Sequence, residues 1–133
     1  SQGKAFSKMI EWVEAQGGKI NPEKPDFGID VAPELLTVNS DKAGFVKNMD
    51  CRSIGLALRP LGGARSSVDD KLDLTTGIEF LVSVGQEITK GQEIAVIKGN
   101  DKAAGQEASR MILDAIEISE DSVAAQNLII DRF

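Results

Sequence analysis

A mixed α+β fold is what this sequence predicts, and three observations predict it. Amphipathic helical spacing appears towards each end of the chain, short runs of strand-forming residues lie between, and a six-residue repeat joins two of those runs. The repeat reads Gly85-Gln86-Glu87-Ile88, then Gly91-Gln92-Glu93-Ile94. With 133 residues the chain has the size of one domain and can bury roughly two thirds of its unfolded surface. Its 41% hydrophobic and 27% charged residues place it with ordinary globular proteins, not with disordered or collagen-like chains.

Phe6, Met9, Ile10 and Val13 recur at i, i+3, i+4 and i+7, which predicts a helix that Gly17-Gly18 stops. Trp12 on that helix has an apolar body and a polar N–H, suited to an interface or a core, while Glu11 and Glu14 read as a solvated face. Pro22, Pro25, Gly28 and Pro33 make the next stretch a linker, so a compact unit is expected from about Pro33. Leu35 to Val38 and Gly44 to Met49 read as strands across a Ser40-Asp41-Lys42 turn. Asp50 can cap a short helix carrying Ile54, Leu58 and Leu61, ended by Leu61-Gly62-Gly63.

A polar loop from Gly62 to Asp73 follows, then strands over Gly77 to Val84 and Glu93 to Ile97. In the repeat between them each glycine can turn the backbone at positive φ, and Ile88 and Ile94 point into a small core. After Asn100-Asp101, the spacing of Ala104, Ala108, Met111, Ile112 and Ala115 predicts a second helix, weakened at Gly105. Ile116 and Ile118 begin a last strand, and Leu128-Ile129-Ile130 add an edge strand or pack on the surface.

Composition removes several chemistries. Fifteen Lys plus Arg against 21 Asp plus Glu leave a net charge of -6, without the basic footprint that nucleic acid demands. No apolar stretch approaches the roughly 20 residues that cross a bilayer, and Ser1-Gln2-Gly3-Lys4 does not open a signal peptide. One cysteine, Cys51, permits no internal disulfide, and the lack of histidine removes His-based triads and Cys/His zinc sites. A reducing, cytoplasmic setting is expected. A start without Met, directly on a helical pattern, suggests a processed or excised piece.

Gly62-Gly63-Ala64-Arg65-Ser66-Ser67 has the look of a glycine-rich anion loop with an arginine to grip phosphate. It lacks the Gly-Lys-Ser/Thr ending of a P-loop and the strand-first context of a dinucleotide site. The structural reading is favoured: a helix stop, with Arg65 tying down the acidic loop after it. Asp69, Asp70 and Asp73 read as a solvated loop, since three acids so spaced define no coordination geometry; no metal and no cofactor are expected. Cys51 has no histidine to activate it and reads as a small buried residue at a helix start.

Several features then coincide in order and spacing: Gly44-Phe45-Val46, Ile54-Gly55-Leu56-Ala57, Leu61-Gly62-Gly63-Ala64-Arg65, the acidic loop, Gly77-Ile78, and Val84-Gly85 through Gly91 to Ile94. From Ser40 to Gly99 the chain thereby resembles the C-terminal domain of the thymidine and pyrimidine-nucleoside phosphorylase family, with Gly63 and Ala64 exchanged relative to its Leu-Gly-Ala-Gly-Arg element. Gly3-Lys4-Ala5-Phe6, Met9-Ile10 and Ala15-Gln16-Gly17-Gly18 look like the last helix of that family's α/β domain.

The resemblance implies an α/β hammerhead with a flattened β sandwich, a lipoyl-like barrel-sandwich hybrid, preceded by one amphipathic helix. It implies residues 1–18 as the last helix of an α/β domain outside this chain, 19–33 as a linker and 34–133 as the C-terminal domain. The parent enzyme would split pyrimidine nucleosides with phosphate, giving free base and pentose 1-phosphate. Phosphate and nucleoside would be bound by its N-terminal α and α/β domains, leaving no catalytic or substrate-binding residue here. Gly62, Gly63, Ala64 and Arg65 would form a domain-closure loop. A homodimer is expected, through the apolar face of the first helix. The alternative is a biotinyl or lipoyl-like carrier, which needs a lysine at a tight hairpin tip; Lys47 and Lys71 fit poorly.

Overall fold

The structure, a computed structural model, describes residues 3–24, 26–65 and 67–124. In chain order its elements are α1 (Lys4–Ala15), β1 (Glu34–Asn39), β2 (Gly44–Met49), α2 (Cys51–Leu56), β3 (Gly77–Phe80), β4 (Glu87–Ile88), β5 (Glu93–Lys98), α3 (Lys102–Ala115) and β6 (Ile116–Ser119). The chain divides into two compact units, Ser1–Asp30 and Val31–Phe133.

In the first unit α1 forms where the apolar spacing predicts it and ends as expected, with Gly17 at a φ of 80° and the Gly18 N–H donating to Val13 O at 3.0 Å. The residues after it form turns: the Asn21 N–H donates to Phe27 O at 2.7 Å, and the Phe27 ring lies 5.9 Å from that of Phe6. No residue of α1 is buried, and Trp12 is 66% exposed, so within this unit it serves no core.

The second unit holds two antiparallel sheets, in the order β1-β5-β3 and β4-β2-β6. One ribbon threads both. Asn39 faces Glu93 in the first sheet, while Gly44 faces Ile88 and Phe45 faces Glu87 in the second. The pairing continues between and beyond them: Ser40 N–H donates to Gln92 O and Gly91 N–H to Ser40 O, both at 2.8 Å, and Val46 N–H donates to Gln86 O at 2.9 Å and Gly85 N–H to Val46 O at 2.8 Å. Residues 39–46 therefore run antiparallel to 86–93 while passing from one sheet into the other.

That ribbon corrects one expectation. The strand predicted over Gly77 to Val84 stops at Phe80. Leu81 still donates to Ile94 O at 2.9 Å, but Gly85 is drawn to Val46 in the other sheet, so the chain must leave its first partner. The helix predicted as far as Leu61 is shorter as well. Asp50 caps α2 as expected, accepting from the Arg52 and Ser53 N–H groups, yet regular helix ends at Leu56. Pro60 explains the stop, because its ring has no N–H for the Leu56 carbonyl and clashes with it.

On α3 the Asp101 carboxylate accepts from Ala103 and Ala104 N–H at 2.8 and 3.2 Å. Gly105 does not weaken the helix without return: it is buried, and a Cβ there would meet Leu35 Cδ2 at 2.7 Å, so its absence lets α3 approach β1. One core serves both sheets and α3, with Val38, Val46, Ile88, Ile94, Ile97 and Ile112 fully buried. Each such side chain stabilises the fold by roughly 1.5–3 kcal/mol. Ile88 and Ile94 point inward as the repeat predicted. The last strand forms over Ile116–Ser119, and Leu128 to Ile130 lie outside the described residues.

Candidate functional site

The Gly62–Arg65 turn is built by the end of α2 and the loop that returns to β3. Its glycine amides are already committed: Gly62 N–H donates to Arg59 O and Gly63 N–H to Leu58 O, both at 2.9 Å. An anion loop needs such N–H groups aimed at its ligand, and these two are spent within the turn. Arg65 does not tie the acidic loop in place. It is exposed, and the ion pairs formed among the described residues lie elsewhere, at Lys8–Glu11, Lys47–Glu117 and Lys98–Glu79.

Asp73, expected as a solvated acid, is instead bonded at the end of the loop. Its N–H donates to Gly62 O at 2.9 Å, its Oδ1 accepts from Thr75 N at 3.0 Å and Thr75 Oγ1 at 2.6 Å, and its carbonyl accepts from Thr76 Oγ1 at 3.0 Å. The Thr75 hydroxyl first and the Thr75 amide next hold the Asp73 carboxyl below the usual carboxylate range, with a lesser contribution from Asn100. The Asp-x-Thr spacing was the available signal, because an Asp side chain commonly closes a turn on the backbone two residues ahead. Asp69 and Asp70 are exposed, and Asp70 Oδ2 accepts from Ser67 N at 2.8 Å. Among the described residues no three Cys, Asp or Glu side chains gather as a metal site.

The same loop carries the most exposed apolar side chains of the second unit. Val68 is 88% and Leu74 82% exposed, Val31 is exposed as well, and Ala32 N–H donates to Thr75 O at 2.9 Å. Cys51 is exposed, not buried as expected, because the first turn of α2 faces solvent; its Sγ lies 3.7 Å from Met49 O. Lys47 sits within β2, paired with Glu117 at 2.6 Å, and Lys71 lies in the exposed loop, so neither occupies a hairpin tip. A recess of about 400 Å³ between α2 and α3 is lined by Leu56, Arg59, Pro60, Glu107 and Met111. No helix among the described residues is long and apolar enough to cross a membrane.

Compared with known proteins, residues 45–119 match the family described as the pyrimidine nucleoside phosphorylase C-terminal domain. A thymidine phosphorylase of Mesorhizobium japonicum is 32% identical over 133 residues, covering 99% of this chain and 30% of the relative. One from Burkholderia orbicola is 31% identical over 111 residues, 83% of this chain and 25% of the relative, and one from Burkholderia cenocepacia is 29% identical over 127 residues, 95% of this chain and 29% of the relative. The chain thus spans between 25% and 30% of the length of these curated relatives.

Proposed function

Because this chain belongs to the pyrimidine nucleoside phosphorylase C-terminal domain family, we propose that it is the non-catalytic C-terminal domain of a thymidine or pyrimidine-nucleoside phosphorylase. The observation that carries the reading is the family match over residues 45–119, which takes in β2 through β6. The whole enzyme is then a cytoplasmic pentosyltransferase that splits a pyrimidine nucleoside with phosphate. N-terminal α and α/β domains outside this chain hold phosphate and nucleoside. Residues 1–18 are the last helix of the α/β domain, 19–33 the linker and 34–133 the C-terminal domain. In this reading the two sheets form the flattened lipoyl-like sandwich of a hammerhead, and the ribbon of residues 39–46 and 86–93 that joins them supports that assignment.

Gly62, Gly63, Ala64 and Arg65 serve domain closure in this reading, supported by the spent glycine amides, the exposed Arg65 and the apolar Val31, Val68 and Leu74 left for a neighbouring surface to cover. The enzyme works as a homodimer, and the exposed apolar side chains of α1, Phe6, Met9 and Trp12, offer this chain a face for a second copy.

Phosphorolysis needs positioned groups and preorganised charge, which one exposed loop arginine does not supply. Purified chain incubated with thymidine and phosphate is therefore expected to release no thymine above the buffer rate. Turnover comparable to that of a full-length relative would place the chemistry in this chain and overturn the proposal.

A further inference from the structure

We infer that the recess between α2 and α3 is a binding site for a small apolar zwitterion, a molecule of amino-acid size that carries a carboxylate and an ammonium group on one apolar body. Asp50 N–H donates to Ala115 O at 2.9 Å, which ties the start of α2 to the end of α3. The two elements therefore run antiparallel, with Leu56, Arg59 and Pro60 brought beside Glu107 and Met111. Ala57 and Ala108, each the sequence neighbour of a lining residue, are 0% exposed and anchor both walls in the core. At about 400 Å³ the recess lies at the small end of the roughly 300–1,000 Å³ range of ligand pockets.

Its lining sets the ligand class. Leu56, Pro60 and Met111 are half-buried and supply apolar surface, while exposed Arg59 and Glu107 bring opposite charges to the same recess. These two charges do not pair with each other. The ion pairs among the described residues lie at Lys8–Glu11, Lys47–Glu117 and Lys98–Glu79, and neither the Arg59 nor the Glu107 side chain takes part in a hydrogen bond among those residues. The Arg59 guanidinium presents the planar fork that a carboxylate fits, and the Glu107 carboxylate accepts from an ammonium N–H. A simple anion, phosphate included, gains Arg59 and is repelled by Glu107, and a simple cation meets the reverse. A zwitterion satisfies both and lays its body on Leu56, Pro60 and Met111. Because both charges are exposed the attraction is modest, so binding is weak and is selective through the charge pattern. The inference does not rest on the family reading, and the phosphorolysis assay does not decide it.

An NMR titration of the isotopically labelled 133-residue chain with L-phenylalanine tests it. Saturable shifts are expected at the amides of Leu56, Arg59, Glu107 and Met111. Hydrocinnamate lacks the ammonium group and phenethylamine lacks the carboxylate, so each is expected to bind about threefold more weakly, the worth of one exposed ion pair. Arg59→Met should weaken phenylalanine about threefold without weakening phenethylamine, and Glu107→Gln should weaken phenylalanine about threefold without weakening hydrocinnamate. Both residues are exposed, and the amides of buried Ile94 and Ile112 check that each variant keeps its fold. Absence of saturable shifts at the lining amides overturns the proposal, as does equal affinity for the three probes or binding of phenylalanine by both variants as tight as by the parent chain. If a variant does not fold, the comparison of the three probes on the parent chain decides alone.

Discussion

Two kinds of glycine turn occur in the second unit, nearly identical in backbone and different in what fastens them. Gly85, Gly91 and Gly62 take φ values of 88°, 84° and 80°. At Gly85 and Gly91 the glycine N–H and the following glutamine carbonyl both engage residues 39–46, and the glutamine side chain closes its own turn: Gln86 Oε1 accepts from Ser83 N at 3.2 Å and Gln92 Oε1 from Thr89 N at 3.0 Å. The Gly62 turn is bonded instead within its own stretch of chain, from Gly62 N–H to Arg59 O, Gly63 N–H to Leu58 O and Asp73 N–H to Gly62 O, and the Asp73 carboxylate closes the next turn on Thr75. Fastening to a distant stretch of chain repeats where the sequence repeats and is protected by the sheets it joins. The fastening beside Gly62 is local and has no such repeat, and the carboxylate that closes the turn after it titrates.

The comparison breaks most visibly at the isoleucines that end the two repeats, which are 2% and 0% exposed at Ile88 and Ile94. Ile94 lies on β5, the central strand of its sheet, and Ile88 on the two-residue edge strand β4. Ile94→Ala should cost about 3–5 kcal/mol and Ile88→Ala about 2–3 kcal/mol in urea unfolding, because the edge can close more of the cavity. Equal losses would mean that the two repeats contribute alike despite their different strands.

Substitution of the glycines sharpens it further. A Cβ on Gly91 meets nothing within 4 Å, so Gly91→Ala tests conformational strain alone and should cost about 1–2 kcal/mol. A loss much below that would show that the turn rearranges. The glutamines come next: Gln86→Ala and Gln92→Ala each remove one acceptor and should cost about 0.5–1.5 kcal/mol, with half-buried Gln92 at the upper end and exposed Gln86 at the lower. Thermal melts of the two variants give the order, and a reversed order would contradict the burial argument.

The same contrast explains what could be read in the sequence. The repeat was legible because each Gly-Gln-Glu-Ile spells its turn and its inward side chain locally, and the Asp50 and Asp101 caps because they act on amides two or three residues away. The end of β3 was not legible, since it depends on Gly85 meeting Val46, a partner far off in the chain. Cys51 was misread for a related reason: its residue type favours burial, but the direction in which α2 presents its first turn is set by tertiary packing. At the candidate site the Gly62-Gly63 turn was visible and its fastening was not. An Arg beside an acidic loop suggested an ion pair, whereas Asp73 closes a short turn on the amide and hydroxyl of Thr75.

Acid should separate the two kinds of turn by the smallest effect of the series. The Asp73 carboxyl is held below its ordinary value of 3.8 by the Thr75 hydroxyl and then the Thr75 amide, and Asp50 is lowered in the same way by the Ser53 hydroxyl and then the Arg52 amide. A carboxyl lowered on folding contributes stability that is whole above the unfolded value and is lost as pH falls through the folded one. No titrating side chain takes part in the hydrogen bonds that fasten Gly85 and Gly91. In an amide-shift titration by NMR, Thr75 and Ser53 should therefore move with midpoints below 3.8, while Gly85 and Gly91 hold their positions over the same range. Asp73→Asn should abolish the Thr75 titration and leave that of Ser53 intact, because Asp50 and Asp73 belong to separate caps. A Thr75 midpoint at or above 3.8 would mean that the carboxylate gains nothing from its bonds to Thr75.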